Sequence, residues 1–275
     1  MRSIGLALGA SLSWGLADFF GPLKGRTLGA LRVLFYVQLG GLAAIALVVT
    51  IRGKGPADAT ALLAIPAAIS GTLGLYAYYR GIAVGAISIL APIAGISAVI
   101  PVAVGIASGD RPSARQWAGM ATALLGVFLA AREKEGGGRV AAGVGLALLA
   151  AIGFGCYFPP MHAAGNADFW WASLIFRATS TLVILAAVAI RRPALGVPAL
   201  EVPLLALIGI GDMLGNLLFA AASTSELVSI TSVLASLYPI VTVLMARVVL
   251  KERVVRSQEA GIVLTLAGVA LISAG

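Results

Sequence analysis

Arg177, Asp212 and Asp18 are ionisable residues set deep within long apolar runs. A charge at such depth in a membrane costs at least about 2.5 kcal/mol unless it meets an opposite charge, a carbonyl or water. Each therefore raises a question of pairing or of function. A guanidinium near the middle of its run suits two tasks: a fork for a substrate carboxylate, or an internal ion pair, with Asp212 as the acid at matching depth. Arg32 stands near the start of its own run, where pairing with Asp18 or reaching the interface is the expectation. Gln38, Ser97, Asn216, Tyr78, Tyr79, Tyr157 and Tyr238 add hydrogen-bonding groups, and Trp14 and Phe154 add aromatic faces. A cation over such a face gains about 0.5 to 2 kcal/mol, while the same ring packs against apolar groups without demanding one fit. The plain alternative for Trp14 is bulk facing lipid. Trp117, Trp170 and Trp171, near run ends, read as interfacial anchors. His162 follows Pro159-Pro160 at a run end, where it could line a cavity mouth or simply be solvated.

The elements that hold these residues follow from composition. Of 275 residues, 60% are hydrophobic and 11% charged, against roughly 25% charged in a soluble domain. This is a polytopic membrane chain. Apolar runs cover 4–22, 30–51, 61–79, 84–108 and 114–131 in the first half, and 141–161, 168–190, 200–222, 227–250 and 257–274 in the second. Each is about twice the length of a barrel strand and none alternates, so the fold class is all-α, with ten transmembrane helices. Little sequence is left for a soluble domain, and the first run lacks a small-residue cleavage site, so it is read as a mature span. Pro92, Pro101, Pro159 and Pro239 fall inside runs, where each frees a carbonyl and marks either a hinge or a static kink.

Several classes of function are excluded on chemistry. The net charge of +8 comes from basic loops without interleaved aromatics, which suits anionic lipid and not nucleic acid. Cys156 and His162 are single residues of their kinds, so no disulfide and no Cys/His metal cage is expected, and no cofactor. There is no GxxxxGK[ST] for nucleotide-driven transport and no charged ring or carbonyl-rich filter for a channel.

Sliding the chain against itself reveals a repeat. Gly5-Leu6-Ala7-Leu8 recurs as Gly145-Leu146-Ala147-Leu148, and Gly15 falls on Gly155, at an offset of 140; Leu73-Gly74 meets Leu214-Gly215 and Ser88 meets Ser229 at 141. Asp110-Arg111 meets Glu252-Arg253 at 142, and the pattern QxAGxxxxLxGVxL from Gln116 returns from Gln258. Trp14 thus matches Phe154, and Tyr78 matches Phe219, so aromatics are expected on opposing walls of a central cavity. Two units follow, 1–135 and 136–275. An odd number of spans per unit makes the second enter from the opposite side, an inverted arrangement that places a transporter's site near the midplane between repeats.

Five spans per half, the charged pair with proline after the fourth (Asp110-Arg111-Pro112) and its partner Lys251-Glu252-Arg253 resemble the drug/metabolite transporter superfamily, specifically a tandem EamA-domain carrier. The opening Ser-x-x-Trp-Gly run with the following Asp and Phe pair resembles the YddG-type amino-acid exporters. The resemblance implies export of amino acids or related small metabolites, sometimes cationic drugs, by a multi-pass protein of the bacterial inner membrane, not an enzyme. It also implies cytoplasmic termini, whereas the Lys and Arg count, concentrated on the face opposite the termini, places them in the periplasm.

A rival reading starts from Gly209-Ile210-Gly211-Asp212, which matches the GxGD of intramembrane aspartyl proteases. A catalytic dyad needs two carboxyls sharing a proton, and the preceding run has no acid beyond Asp168 at its edge. The glycines also have a packing explanation, as Gly211-x-x-x-Gly215 and Gly81-x-x-x-Gly85 are ridges for close helix approach. Ser223-x-x-Glu226 fits a capping box for the ninth run. The expected protein is a secondary carrier for a small-molecule substrate, with Trp14, Gln38, Tyr78, Tyr79, Ser97, Phe154, Tyr157, His162, Arg177, Asp212, Asn216 and Tyr238 at the site. The bilayer is its surroundings, and a monomer is compatible with every feature above.

Overall fold

The structure is a computed structural model that describes residues 2–84, 87–130, 139–224, 227–251 and 256–273. Gly85, Glu226, Glu252, Arg253, Arg132, Lys134 and the run ends Ala131 and Ala274 lie outside the described residues. A backbone in hydrocarbon must satisfy its own polar groups, which for an unbroken apolar run means a helix. Among the described residues every regular element is helical. In chain order these are α1 (Arg2–Leu28), α2 (Ala30–Arg52), a 3-10 turn (Ala59–Leu63) leading into α3 (Ala64–Val84), and α4 (Ile87–Gly95). A second 3-10 turn (Ile96–Ala98) joins α4 to α5 (Val99–Ala107), followed by α6 (Ala114–Ala130), α7 (Arg139–Arg191), α8 (Glu201–Ala222), α9 (Val228–Ala235), α10 (Tyr238–Val249) and α11 (Arg256–Ser273).

Six of these segments are long and apolar enough to cross a membrane. One of them, Gly145–Arg191, has 47 residues, which at 1.5 Å per residue is about 70 Å, twice the hydrocarbon thickness. It does not run straight. At Asp168 the backbone leaves helical geometry (φ −157°, ψ 96°), and the Asp168 carboxylate accepts from the N–H groups of Trp170 and Trp171 at 3.1 and 3.2 Å. An N-terminal arm thus ends and a C-terminal arm starts under an aspartate cap, where the run that begins at Asp168 was expected to start. α1, by contrast, continues through Pro22 to Leu28, past the expected end of the first run. Pro22 has no N–H to offer the Asp18 carbonyl one turn back, so the helix is weakened there without ending.

The two proline-bearing runs expected in the fourth and ninth places are both interrupted at mid-length. α4 gives way to α5 through the 3-10 turn at 96–98, and α9 ends at Ala235 before α10 starts at Tyr238, with Pro239 in its first turn. Pro239 therefore opens a helix, where its missing N–H is harmless. Pro92 and Pro101 lie inside α4 and α5, while Pro159 and Pro160 lie inside the N-terminal arm of α7. The interruptions sit at repeat-related positions.

The contacts at these interruptions recur with the same offset. A Cβ on Gly15 of α1 would lie 2.8 Å from the Tyr238 carbonyl oxygen, and one on Gly155 of α7 would lie 2.8 Å from the Ser97 carbonyl oxygen. Trp14 meets Phe219 with ring centroids 6.1 Å apart, and Phe154 meets Tyr78 at 6.0 Å. In both cases the first run of one half packs on the third and fourth runs of the other, so the halves are interlocked and not merely side by side.

One helix start departs from expectation. The box at Ser223-x-x-Glu226 is not the cap of α9: its N-cap is Leu227, which offers no side-chain acceptor, and the Ser223 hydroxyl donates instead to the Phe219 carbonyl within α8. The cap comes from 119 residues away. Asp110, in the loop after α5, accepts from the Ser229 N–H at 3.0 Å and its hydroxyl at 2.7 Å. A reciprocal capping box does form at Ser113 and Gln116, opening α6.

Candidate functional site

A cavity opens at the mid-depth of the bundle, between helices, where bundles hold their small-molecule sites. α1 contributes Trp14 and Asp18, α2 Gln38, and α8 Asp212 and Asn216; facing them are Gly71, Thr72 and Leu75 of α3, and Phe154, Tyr157, Phe158, Phe176 and Ser180 of α7. Tyr238 joins the lining from the start of α10. Helix periodicity explains the grouping. Trp14 and Asp18, or Asp212 and Asn216, are four residues apart and so share a face.

The repeat gives this cavity its chemistry. Lining residues fall in matched pairs, Trp14 with Phe154, Asp18 with Phe158, Gly71 with Asp212 and Leu75 with Asn216. In the last three pairs the first repeat and the second carry opposite polarity at the same place. The cavity is therefore lined unequally at matched sequence positions, acidic and hydrogen-bonding along α1, α2 and α8, aromatic and apolar along α3 and α7. Thr72 and Ser180 bond each other at 2.8 Å, which satisfies the Thr72 hydroxyl proton on the apolar side.

Behind the acidic wall lies Arg177, wholly buried. Its Nη1 donates to Gln38 Oε1 at 2.6 Å and its Nη2 to Asp212 Oδ2 at 2.5 Å. Gly41 makes room for it, since a Cβ there would stand 3.0 Å from Arg177 Nε. The internal ion pair is thus the arrangement adopted, and the guanidinium is not among the cavity-lining groups. Asn216 turns its amide back to the Asp212 carbonyl at 2.8 Å, leaving its side-chain oxygen free of that bond. Asp18 makes no ion pair with Arg32, whose Nε has no partner.

Of the twelve expected site residues, seven line the cavity: Trp14, Gln38, Phe154, Tyr157, Asp212, Asn216 and Tyr238. Five do not. Arg177 stands behind Asp212 and Gln38. Tyr78 is buried against Phe154, one layer out. Tyr79 ends against Gly21 of α1, whose missing Cβ makes room for its hydroxyl. Ser97 is buried in the turn between α4 and α5, its carbonyl facing Gly155. His162 is half-buried further along α7, beyond the prolines. Sequence reasoning did not place Asp18, Gly71, Thr72, Leu75, Phe158, Phe176 and Ser180 at the site; most are ordinary in a membrane helix, but the repeat offset could have found Gly71 from Asp212, Leu75 from Asn216 and Phe158 from Asp18.

Gly209 and Gly211 of the protease-like pattern play structural parts. A Cβ on Gly209 would collide with the Val37 carbonyl oxygen, so this glycine lets α2 and α8 touch. Gly211 has open space around it, contrary to a ridge, and its carbonyl accepts from Ser13 Oγ at 2.6 Å. Gly215 does act as a ridge, with Trp14 Cδ1 2.5 Å from where its Cβ would lie. Asp212 is ion-paired, whereas a protease dyad needs an acid sharing a proton with a second acid; the protease reading gains no support. Among the described residues, no group of three or more His, Cys, Asp or Glu is placed to hold a metal.

Comparison with known proteins agrees with the transporter reading at the level of family. No curated protein matches the chain. A solved crystal structure, described only as that of a protein, is similar in fold, with a TM-score of 0.78 at 14% identity over 98% of this chain and 94% of its own. The model of the EamA-like transporter family matches twice in tandem, over residues 1–132 and 141–274. With a multi-pass helical bundle, a mid-depth cavity and two such matches covering nearly the whole length, the chain belongs to the EamA-like transporter family, whose members are membrane transporters of small molecules.

Proposed function

We propose that this chain is a secondary carrier of ten helix crossings, built as two five-helix repeats, 1–135 and 136–275, threaded in opposite senses. It moves small amphiphilic metabolites, amino acids or the amines related to them, outward across a bacterial inner membrane by alternating access. The observation that carries this reading is the cavity itself, lined at matched positions by both repeats. Recurrence of the Gly15 and Gly155 contacts, each on an interrupted helix of the other half, supports a two-fold relation between the repeats. Packing that can exist in two equivalent versions is what a carrier needs in order to open to either side.

Within the cavity, an aromatic or aliphatic side chain lies among Phe154, Phe158 and Phe176, and the polar end of the substrate turns to the α1 and α8 wall. Trp14 and Tyr238 close over its positive group. The interruptions at 96–98 and 236–237, with Pro101 and Pro239, serve as hinges. Arg177, wholly buried and bonded through Nη1 to Gln38 and through Nη2 to Asp212, positions Asp212 instead of gripping a carboxylate.

Counterflow in proteoliposomes holding the purified chain tests this, with labelled amino acids and their decarboxylated amines as probes. Saturable exchange of at least one probe is expected. Trp14→Ala should lower its rate about tenfold, equivalent to about 1.4 kcal/mol of lost ring contact, with Trp14→Phe intermediate and both variants eluting as single species. An unchanged rate in a well-folded Trp14→Ala chain would remove this ring from the site.

A further inference from the structure

The formal charges around the cavity do not balance. Arg177 matches Asp212, but Asp18 lines the same space at 6% exposure and, among the described residues, has no hydrogen bond and no ion pair. The ionisable groups that face it are Asp212 from α8, Tyr78 and Tyr79 from α3, and Tyr238 from α10. None brings a positive charge. On α2, Arg32 makes no ion pair, Tyr36 donates to the Leu195 carbonyl and Arg52 lies over the Trp170 ring. α9 carries no ionisable residue.

A carboxylate left ionised at this depth costs several kcal/mol. It must hold a proton or a cation. The surroundings suit an organic cation: Trp14 lies one helical turn away on the same face, Tyr238 lines the cavity with its hydroxyl unpartnered, and the opposite wall is aromatic. A carboxylate-bearing zwitterion fares worse, because Arg177, whose charge would have to receive it, is wholly buried and already holds Asp212.

On the carrier reading above, we infer that Asp18 is the exchange site for a single positive charge. It holds a proton in the empty cavity and the ammonium of a monocationic amine in the loaded one, so the transported class is aromatic or aliphatic amines in preference to their parent amino acids. Binding the cation to the protonated side chain releases one proton to the side the cavity faces. The carrier then crosses as a neutral ion pair, releases the amine, takes up one proton there and returns as a neutral acid. No net charge moves, and one proton travels inward for each amine leaving.

The permanently charged N,N,N-trimethyltryptammonium ion and tryptophan separate the classes, since neither the leak of a neutral amine nor the indole ring distinguishes them. In weakly buffered detergent solution the full chain should release one proton per ammonium bound, and bind tryptophan at least tenfold more weakly. In liposomes, the ion should accumulate about tenfold per unit of pH gradient, acid inside, and ignore a potassium–valinomycin potential. Asp18→Asn should abolish proton release and weaken ammonium binding at least tenfold, while Asp18→Glu restores both. Asparagine mimics the protonated acid of the empty state, so a D18N chain that fails to fold would count against the inference. So would accumulation that follows the electrical potential, proton release retained in D18N, or a preference for tryptophan; exchange of tryptophan alone would leave the carrier reading standing. Exchange of neither probe nor any amino acid or amine would overturn the carrier reading and this inference together.

Discussion

Replacing Arg177 with Met is expected to destabilise the folded chain by about 3 to 5 kcal/mol, the largest effect of any single substitution in the cavity region. Removing the guanidinium leaves the Asp212 carboxylate without its partner at mid-depth and strips Gln38 of its donor. The methionine fills the volume beside Gly41, so the loss is electrostatic and not a cavity effect. Pairing it with Asp212→Leu should recover most of the stability, because an apolar pair of similar volume replaces a buried ion pair with little penalty. Denaturation in detergent, read for the two single variants and the double, gives the coupling energy. A single variant within about 0.5 kcal/mol of wild type would mean that the pair is dispensable.

The second large effect is expected at Gly209. Its Cβ would collide with the backbone of Val37, and a backbone cannot swing aside as a side chain does. Gly209→Ala must push α2 from α8, and Gln38, the next residue on α2, moves with it and away from Arg177. A loss of about 1 to 3 kcal/mol follows from the overpacking alone. Gly211→Ala, two residues on, meets nothing and should be neutral or slightly stabilising, since Ala favours a helix over Gly. Thermal unfolding of the two variants side by side makes the comparison. Equal effects would show that the contact between α2 and α8 is not the reason for the glycine.

The same residues show what a sequence can and cannot say. Depth along an apolar run identified Arg177 and Asp212 as partners, because the penalty for an unpaired charge leaves few solutions. Prolines marked where the fourth and ninth runs break, and Asp168 marked where the long apolar stretch turns. Depth alone does not give azimuth, however. Tyr78 and Tyr79 are at cavity depth yet lie on the wrong faces of α3, one against Phe154 and the other against Gly21. Ser97 was expected at the site for its hydroxyl, but it is the Ser97 carbonyl that matters, as a contact for Gly155. Long-range pairings were illegible for another reason. Nothing near Leu227 announces that the cap of α9 arrives from Asp110, and a local serine and glutamate gave a false signal. The repeat offset held information that composition did not, since it pairs the acid of one wall with the aromatic of the other.

Access to the cavity from both sides of the membrane is the central claim, and a single thiol reads it. Cys156 is the chain's one cysteine, so Cys156→Ala combined with Ser180→Cys leaves one thiol, on the cavity wall formed by α7. Labelling of this thiol by a membrane-impermeant maleimide, applied first from one side and then from the other during exchange, should proceed from both and slow when substrate is present at saturation. Labelling confined to one side under all conditions, or none from either, would contradict alternating access through this cavity.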